Sequence, residues 1–166
     1  RAYQTRFIMN RQFISYCEKN SPRFITALKG NLSEYNMFNF LSGRVAHVEC
    51  SPDNGDADFK IKHMHKEYLI EHKRARNTKY ANGDLKVELQ KSRDSGSSKK
   101  NRYYLIEQFD IISVDISEHT KKQDDFRFAL ARNLVRDVNY PDCLKKIQRI
   151  TVDDASIWKT EITDLI

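Results

Sequence analysis

The residues best suited to chemistry lie in one stretch, Asp58-Phe59-Lys60-Ile61-Lys62-His63-Met64-His65-Lys66-Glu67-Tyr68-Leu69-Ile70-Glu71-His72-Lys73. An acid opens a run of alternating apolar and polar residues, a short polar reversal follows, and a second run ends in Glu-x-Lys. Period-two alternation is the signal of a strand, so the stretch reads as a hairpin. Residues two apart on a strand share a face, which sends Glu71 and Lys73 out together. Antiparallel pairing returns Asp58, at the far end of the partner strand, to their side. Two carboxylates and an ammonium then converge, which suits a divalent metal bound to phosphate.

Phosphodiester hydrolysis needs an activated water and a counter-charge for the phosphate and the leaving oxygen. Mg2+, with Mn2+ as a substitute, meets both needs; as a hard cation it takes carboxylate oxygens and keeps several waters. Asp58 and Glu71 are the expected metal ligands, with the main-chain carbonyl of His72 as a further oxygen. Lys73 either lowers the pKa of the attacking water or steadies developing charge. A Glu-x-Lys alone is most often an exposed ion pair on a strand. Here it is joined by an upstream acid, by apolar Tyr68, Leu69 and Ile70 before the Glu, and by a basic field after it.

Helices are expected first among the elements that must hold this stretch. Tyr3 to Lys19 carries an amphipathic pattern. Ser21-Pro22 reads as an N-cap with proline at the first helical position, opening a short helix closed by Gly30. Asn31-Leu32-Ser33-Glu34 reads as a capping box that restarts a helix ending at Gly43. Val45 to Cys50 then alternates as a strand, and Ser51-Pro52-Asp53-Asn54-Gly55 is turn chemistry. After Lys73, Arg74 to Asp84 reads as a connection and Leu85 to Gln90 as a strand with some helical character. Asp94 to Arg102 is a basic Gly/Ser loop. Phe109 to Ile116 resembles a buried central strand, Phe126 to Leu130 a later one, and Asp154 is expected to cap a last helix bearing Trp158, Ile162 and Leu165. The fold class expected is α/β (α+β): a mixed sheet with a β-meander, flanked by helices.

The 166 residues fit a single domain, whole or as part of a longer chain, and 39% apolar content fits a globular class. No run is long enough to cross a bilayer as a helix. Three widely spaced cysteines (Cys17, Cys50, Cys143) suggest reduced, buried thiols and a cytoplasmic location. Net charge is +6, but residues 60–102 hold 13 Lys/Arg against 5 Asp/Glu, a net of +8 that leaves −2 for the rest. Such a concentrated basic field is the footprint of a nucleic-acid binder. Arg74, Arg76, Lys79, Lys99, Lys100 and Arg102 are expected to meet phosphates collectively. Arg93 is expected to clamp phosphate or read a guanine edge, and Gln90 to hold a catalytic water or a phosphate oxygen. Tyr103, Tyr104 and Tyr140 either stack on bases or belong to core and rim.

From roughly Leu32 to Ile116 the chain resembles the PD-(D/E)xK nuclease superfamily, the fold of many restriction endonucleases. In that superfamily the first acid begins the second core strand and the acid-x-Lys ends the third. Asp58, Glu71 and Lys73 match these positions. The only literal Pro-Asp pair upstream, Pro52-Asp53, sits in a turn, so Asp58 is preferred as the first acid, ahead of Asp56 and Asp53. A helix before the meander often adds an acid there, and Glu34 matches it as well as it matches a capping box. The resemblance implies a Mg2+-dependent endonuclease acting on double-stranded DNA as a homodimer, of restriction type. The alternatives are a repair, junction-resolving or homing nuclease of the same fold, or a non-catalytic nucleic-acid-binding module.

Overall fold

The computed structural model describes residues 11–51, 57–91, 102–151 and 156–166. Asp53 and Asp56, the alternative first acids, lie outside these residues, as do Arg93, Lys99, Lys100 and the Asp154 cap. Two helices open the described chain, α1 (Arg11–Asn20) and α2 (Pro22–Ser42). The strands are β1 (His47–Cys50), β2 (Phe59–His63), β3 (Lys66–Lys79), β4 (Leu85–Glu88), β5 (Ile111–Asp115), β6 (Phe126–Leu130) and β7 (Ile147–Ile150), with a one-turn helix α3 (Ser117–Thr120) after β5. They form one seven-stranded sheet, so the class is α+β with a mixed sheet. No helix among the described residues is long and apolar enough to cross a membrane.

β1, β2 and β3 form an antiparallel meander. The β2–β3 reversal takes two residues, Met64 and His65, with φ of 45° and 69°. Positive φ at both central positions matches the right-handed twist of the flanking strands. Register follows from that turn: His63 pairs with Lys66 and Phe59 with Ile70. β5 lies parallel to β3, pairing Ile70 with Ile111 through Arg74 with Asp115, and β6 returns antiparallel to β5. Each face of the sheet carries its own core. Leu85, Val87, Leu89, Ile112, Val114 and Ile116 pack on one, and Met37 and Leu41 of α2 close over Phe59, Ile61, Ile70, Ile111, Phe126 and Phe128 on the other.

Several expectations from sequence give way to packing. α2 runs through Gly30 without a break, so neither a stop at Gly30 nor a capping box at Asn31 forms. Gly costs a helix interior only about 1 kcal/mol, and burial of Ser33, Met37 and Leu41 on one face outweighs that. β3 does not end at Lys73; residues 74–79 continue as strand because β4 pairs with them, Ala75 with Val87 and Lys79 with Leu85. No α-helix spans 156–166, where a single 3-10 turn covers Ile162–Asp164. Trp158 and Ile162 instead pack into different cores. Cys17 and Cys143 are buried as expected, but Cys50 is exposed on β1.

Candidate functional site

Glu71, His72 and Lys73 lie on β3 just beyond its last pair with β2. On the β2 side the main-chain groups of His72 therefore have no strand partner and must find others. Its N–H donates to Asp58 Oδ2 at 2.7 Å, and its carbonyl accepts from Lys73 Nζ at 3.1 Å. Lys73 Nζ also donates to Glu71 Oε1 and stands 3.9 Å from Asp58 Oδ2. One ammonium thus contacts three oxygens, and these belong to the three groups expected to hold a metal.

Burial differs sharply among these groups. Glu71 is only 3% exposed, while the side chains of Asp58 and Lys73 are partly open to solvent. Desolvation raises the Glu71 pKa; Lys73 opposes the rise and the Asp58 carboxylate adds to it. The Tyr104 hydroxyl donates to the same Glu71 oxygen, and burial first, then the Glu71 charge, raises the tyrosine's own pKa. Glu34 projects from α2 within electrostatic reach of the set. Its pKa is raised by partial burial first and by Asp58 second, with Lys73 opposing. Of the two readings of Glu34, helix cap and added acid, mid-helix placement removes the first.

The His72 side chain turns to the opposite face of the sheet, beneath α2. Its Nε2 lies 2.8 Å from Ser33 Oγ, and Ser33 donates to Asp115 Oδ2 at 2.6 Å. With that hydroxyl proton given to Asp115, the serine oxygen accepts from His72 Nε2–H. His72 Nδ1 lies 2.9 Å from Ser113 Oγ, whose hydroxyl is also 3.4 Å from the Glu71 carbonyl oxygen. The rings of Phe59 and Phe126 enclose the imidazole. Complete burial lowers its pKa to about 3, so the ring is neutral at physiological pH. Burial alone would raise the Asp115 pKa, but hydrogen bonds from Ser33 and Ser117 outweigh it and hold the carboxylate low.

The remaining expected residues are more dispersed. Arg74 pairs with Glu118 at 2.6 Å and Arg76 with Glu88 at 3.5 Å. Lys79 is exposed at the end of β3. With its amide oxygen toward Arg102, Gln90 accepts from Arg102 Nε at 2.8 Å and donates to Glu88 at 2.9 Å. Gln90 is therefore engaged with its neighbours, and no hydrogen bond joins it to Asp58, Glu71 or Lys73. Asp110 accepts from the Leu69 N–H at 2.8 Å, two residues before Glu71 on β3.

Among the described residues no group of three His, Cys, Asp or Glu side chains closes into a metal cage. The donor set is instead two carboxylates and a main-chain carbonyl. That all-oxygen set fits Mg2+, which commonly takes one or two carboxylates and retains waters. Sequence reasoning gave no role to Ser33, Ser113 or Lys91 and did not connect Tyr104 with Glu71. No family model, curated protein or solved structure matches this chain.

Proposed function

We propose that the protein is a Mg2+-dependent endonuclease of double-stranded DNA, of restriction type, with a restriction endonuclease-like core. The observation that carries this reading is the contact of one ammonium, Lys73, with oxygens of Glu71, His72 and Asp58. Asp58, Glu71 and the His72 carbonyl would hold the metal, which when bound supplies charge neutralisation and activation of water. Glu71 enters that role already aimed, because Tyr104 and Lys73 fix its carboxylate. Lys73 places a cation beside the same oxygens, suited to steady charge developing on phosphate. Glu34 adds negative charge at the α2 side of the set. The basic stretch from Lys60 to Arg102 draws the polyanion to it. Cutting both strands at one position takes two active sites, so the reading includes a two-fold homodimer.

The test is a cleavage assay with Mg2+ on linear duplex, nicked and branched DNA, with cut sites mapped on a long duplex. Discrete cuts in linear duplex at a recurring sequence support restriction-type action. Cutting confined to nicked or branched DNA points to a repair or junction nuclease. Salt-sensitive binding without turnover on any substrate would leave a non-catalytic nucleic-acid-binding module.

A further inference from the structure

Beside the carboxylates, three main-chain segments are laced together. Lys91 N donates to Arg102 O at 3.1 Å, Leu89 N to Lys146 O at 2.7 Å, and Leu144 N to Tyr104 O at 2.8 Å. This brings Lys91 and Lys146, 55 positions apart in the chain, to the two tyrosines at 103 and 104. The Tyr104 ring has Lys73 Nζ and Lys91 Nζ each 5.6 Å from its centroid. The Tyr103 ring has Lys146 Nζ at 4.2 Å and the Tyr140 ring at 5.2 Å.

These two lysines differ from most cations nearby. Arg74, Arg76, Lys60 and Lys62 each reach a carboxylate. Lys91 and Lys146 have no carboxylate partner among the described residues, and both are half-buried. An ammonium over an aromatic face gains roughly 0.5–1 kcal/mol where exposed. That holds the stem in place but leaves the positive charge unneutralised. Packing against rings also restricts two side chains that would otherwise be highly mobile, which lowers the ordering cost of binding an anion.

We infer that Lys91 and Lys146 are phosphate-binding residues that extend the line begun by Lys73 and guide the DNA backbone past Glu71. This inference rests on the nucleic-acid reading of the site and adds the path the strand takes. Tyr104 links the two roles, since its hydroxyl holds Glu71 while its ring carries Lys91. Arg102, tied to Gln90, would flank the same path.

The experiment is equilibrium binding of a fluorescently labelled DNA duplex in EDTA, which prevents metal-dependent turnover, between about 50 and about 200 mM salt. Lys91→Met and Lys146→Met keep the apolar stem over each ring and remove the charge. Each should lower the slope of log K against log[salt] by about 1, and the double variant by about 2. Lys91→Arg and Lys146→Arg should keep the wild-type slope, which separates loss of charge from loss of fold. Arg44→Met, whose partner is Glu161 outside the basic stretch, should leave the slope unchanged. A double Met variant with the wild-type slope would overturn this inference and spare the nucleic-acid reading. A wild-type protein without salt-dependent duplex binding would overturn both.

Discussion

The Ser33 hydroxyl lies 2.8 Å from His72 Nε2 and donates to Asp115 at 2.6 Å, so one side chain of α2 is bound to both β3 and β5. Ser33 and Glu34 are adjacent in α2, and His72 lies between Glu71 and Lys73 in β3. The buried contact therefore fixes how the helix bearing Glu34 sits against the strand bearing the Glu-x-Lys. Asp58, Glu71, Lys73 and Glu34 are thus aligned by a buried hydrogen-bonded network of Ser33, His72 and Asp115.

That network makes the fold acid-sensitive. His72 has a folded pKa of about 3 against an ordinary 6.5. As pH falls below 6.5 the unfolded chain takes up a proton that the folded imidazole refuses, so stability drops by about 1.4 kcal/mol per pH unit until pH approaches 3. Glu71 acts in the opposite sense: its folded pKa is raised, so its protonation on acidification favours the fold. Comparing wild type with His72→Gln in urea denaturation at successive pH values isolates the histidine. The variant should be less stable at pH 7 by about 1–3 kcal/mol, and the gap should narrow steadily below pH 6.5. A gap independent of pH would show that His72 is not held neutral.

Glu71→Ala and Lys73→Ala should each lower cleavage by about a hundredfold or more while duplex binding persists. A readout apart from turnover is available for the glutamate. Mg2+ bound to the folded state at 100 times its dissociation constant stabilises by about 2.7 kcal/mol, which raises the wild-type melting temperature. Glu71→Ala should lose most of that rise. Wild-type cleavage in both variants would remove the assignment of the site.

Tyr104→Phe deletes one donor to a buried carboxylate and leaves the ring in place. The Glu71 pKa, already raised by burial, should climb further, because the hydroxyl supports the ionised form. Metal binding requires that form, so the acid limb of the pH–activity profile should move to higher pH. Activity on the alkaline side should change far less. A profile displaced equally at every pH would indicate a packing effect alone.

Gly30→Ala and Glu34→Gln test the continuity of α2. A Cβ at Gly30 meets nothing within 4 Å, so alanine should stabilise by about 0.5–1 kcal/mol, seen as a higher melting temperature. Destabilisation would mean that the helix breaks there. Glu34→Gln should leave the metal-free melting temperature nearly unchanged, because the residue caps nothing, and should weaken Mg2+ binding severalfold in a thermal-shift titration. A marked loss of metal-free stability would restore the capping role.

Period-two alternation made the hairpin legible, and with it the meeting of Asp58, Glu71 and Lys73, because side-chain direction on a strand follows from residue parity alone. The basic field was legible for a similar reason, being a sum over local composition. The continuous α2, the extension of β3 to Lys79 and the absence of a final α-helix in 156–166 were not. Each depends on burial against a partner distant in the chain, and such packing overrides weak local preferences such as that of Gly30. The same holds for the site's supports. Nothing local to His72 indicates that Ser33, Ser113 and Asp115 surround it, and nothing near Glu71 points to a tyrosine 33 positions away. Parity determined which charged groups share a face; only tertiary packing decided which neutral groups hold them there.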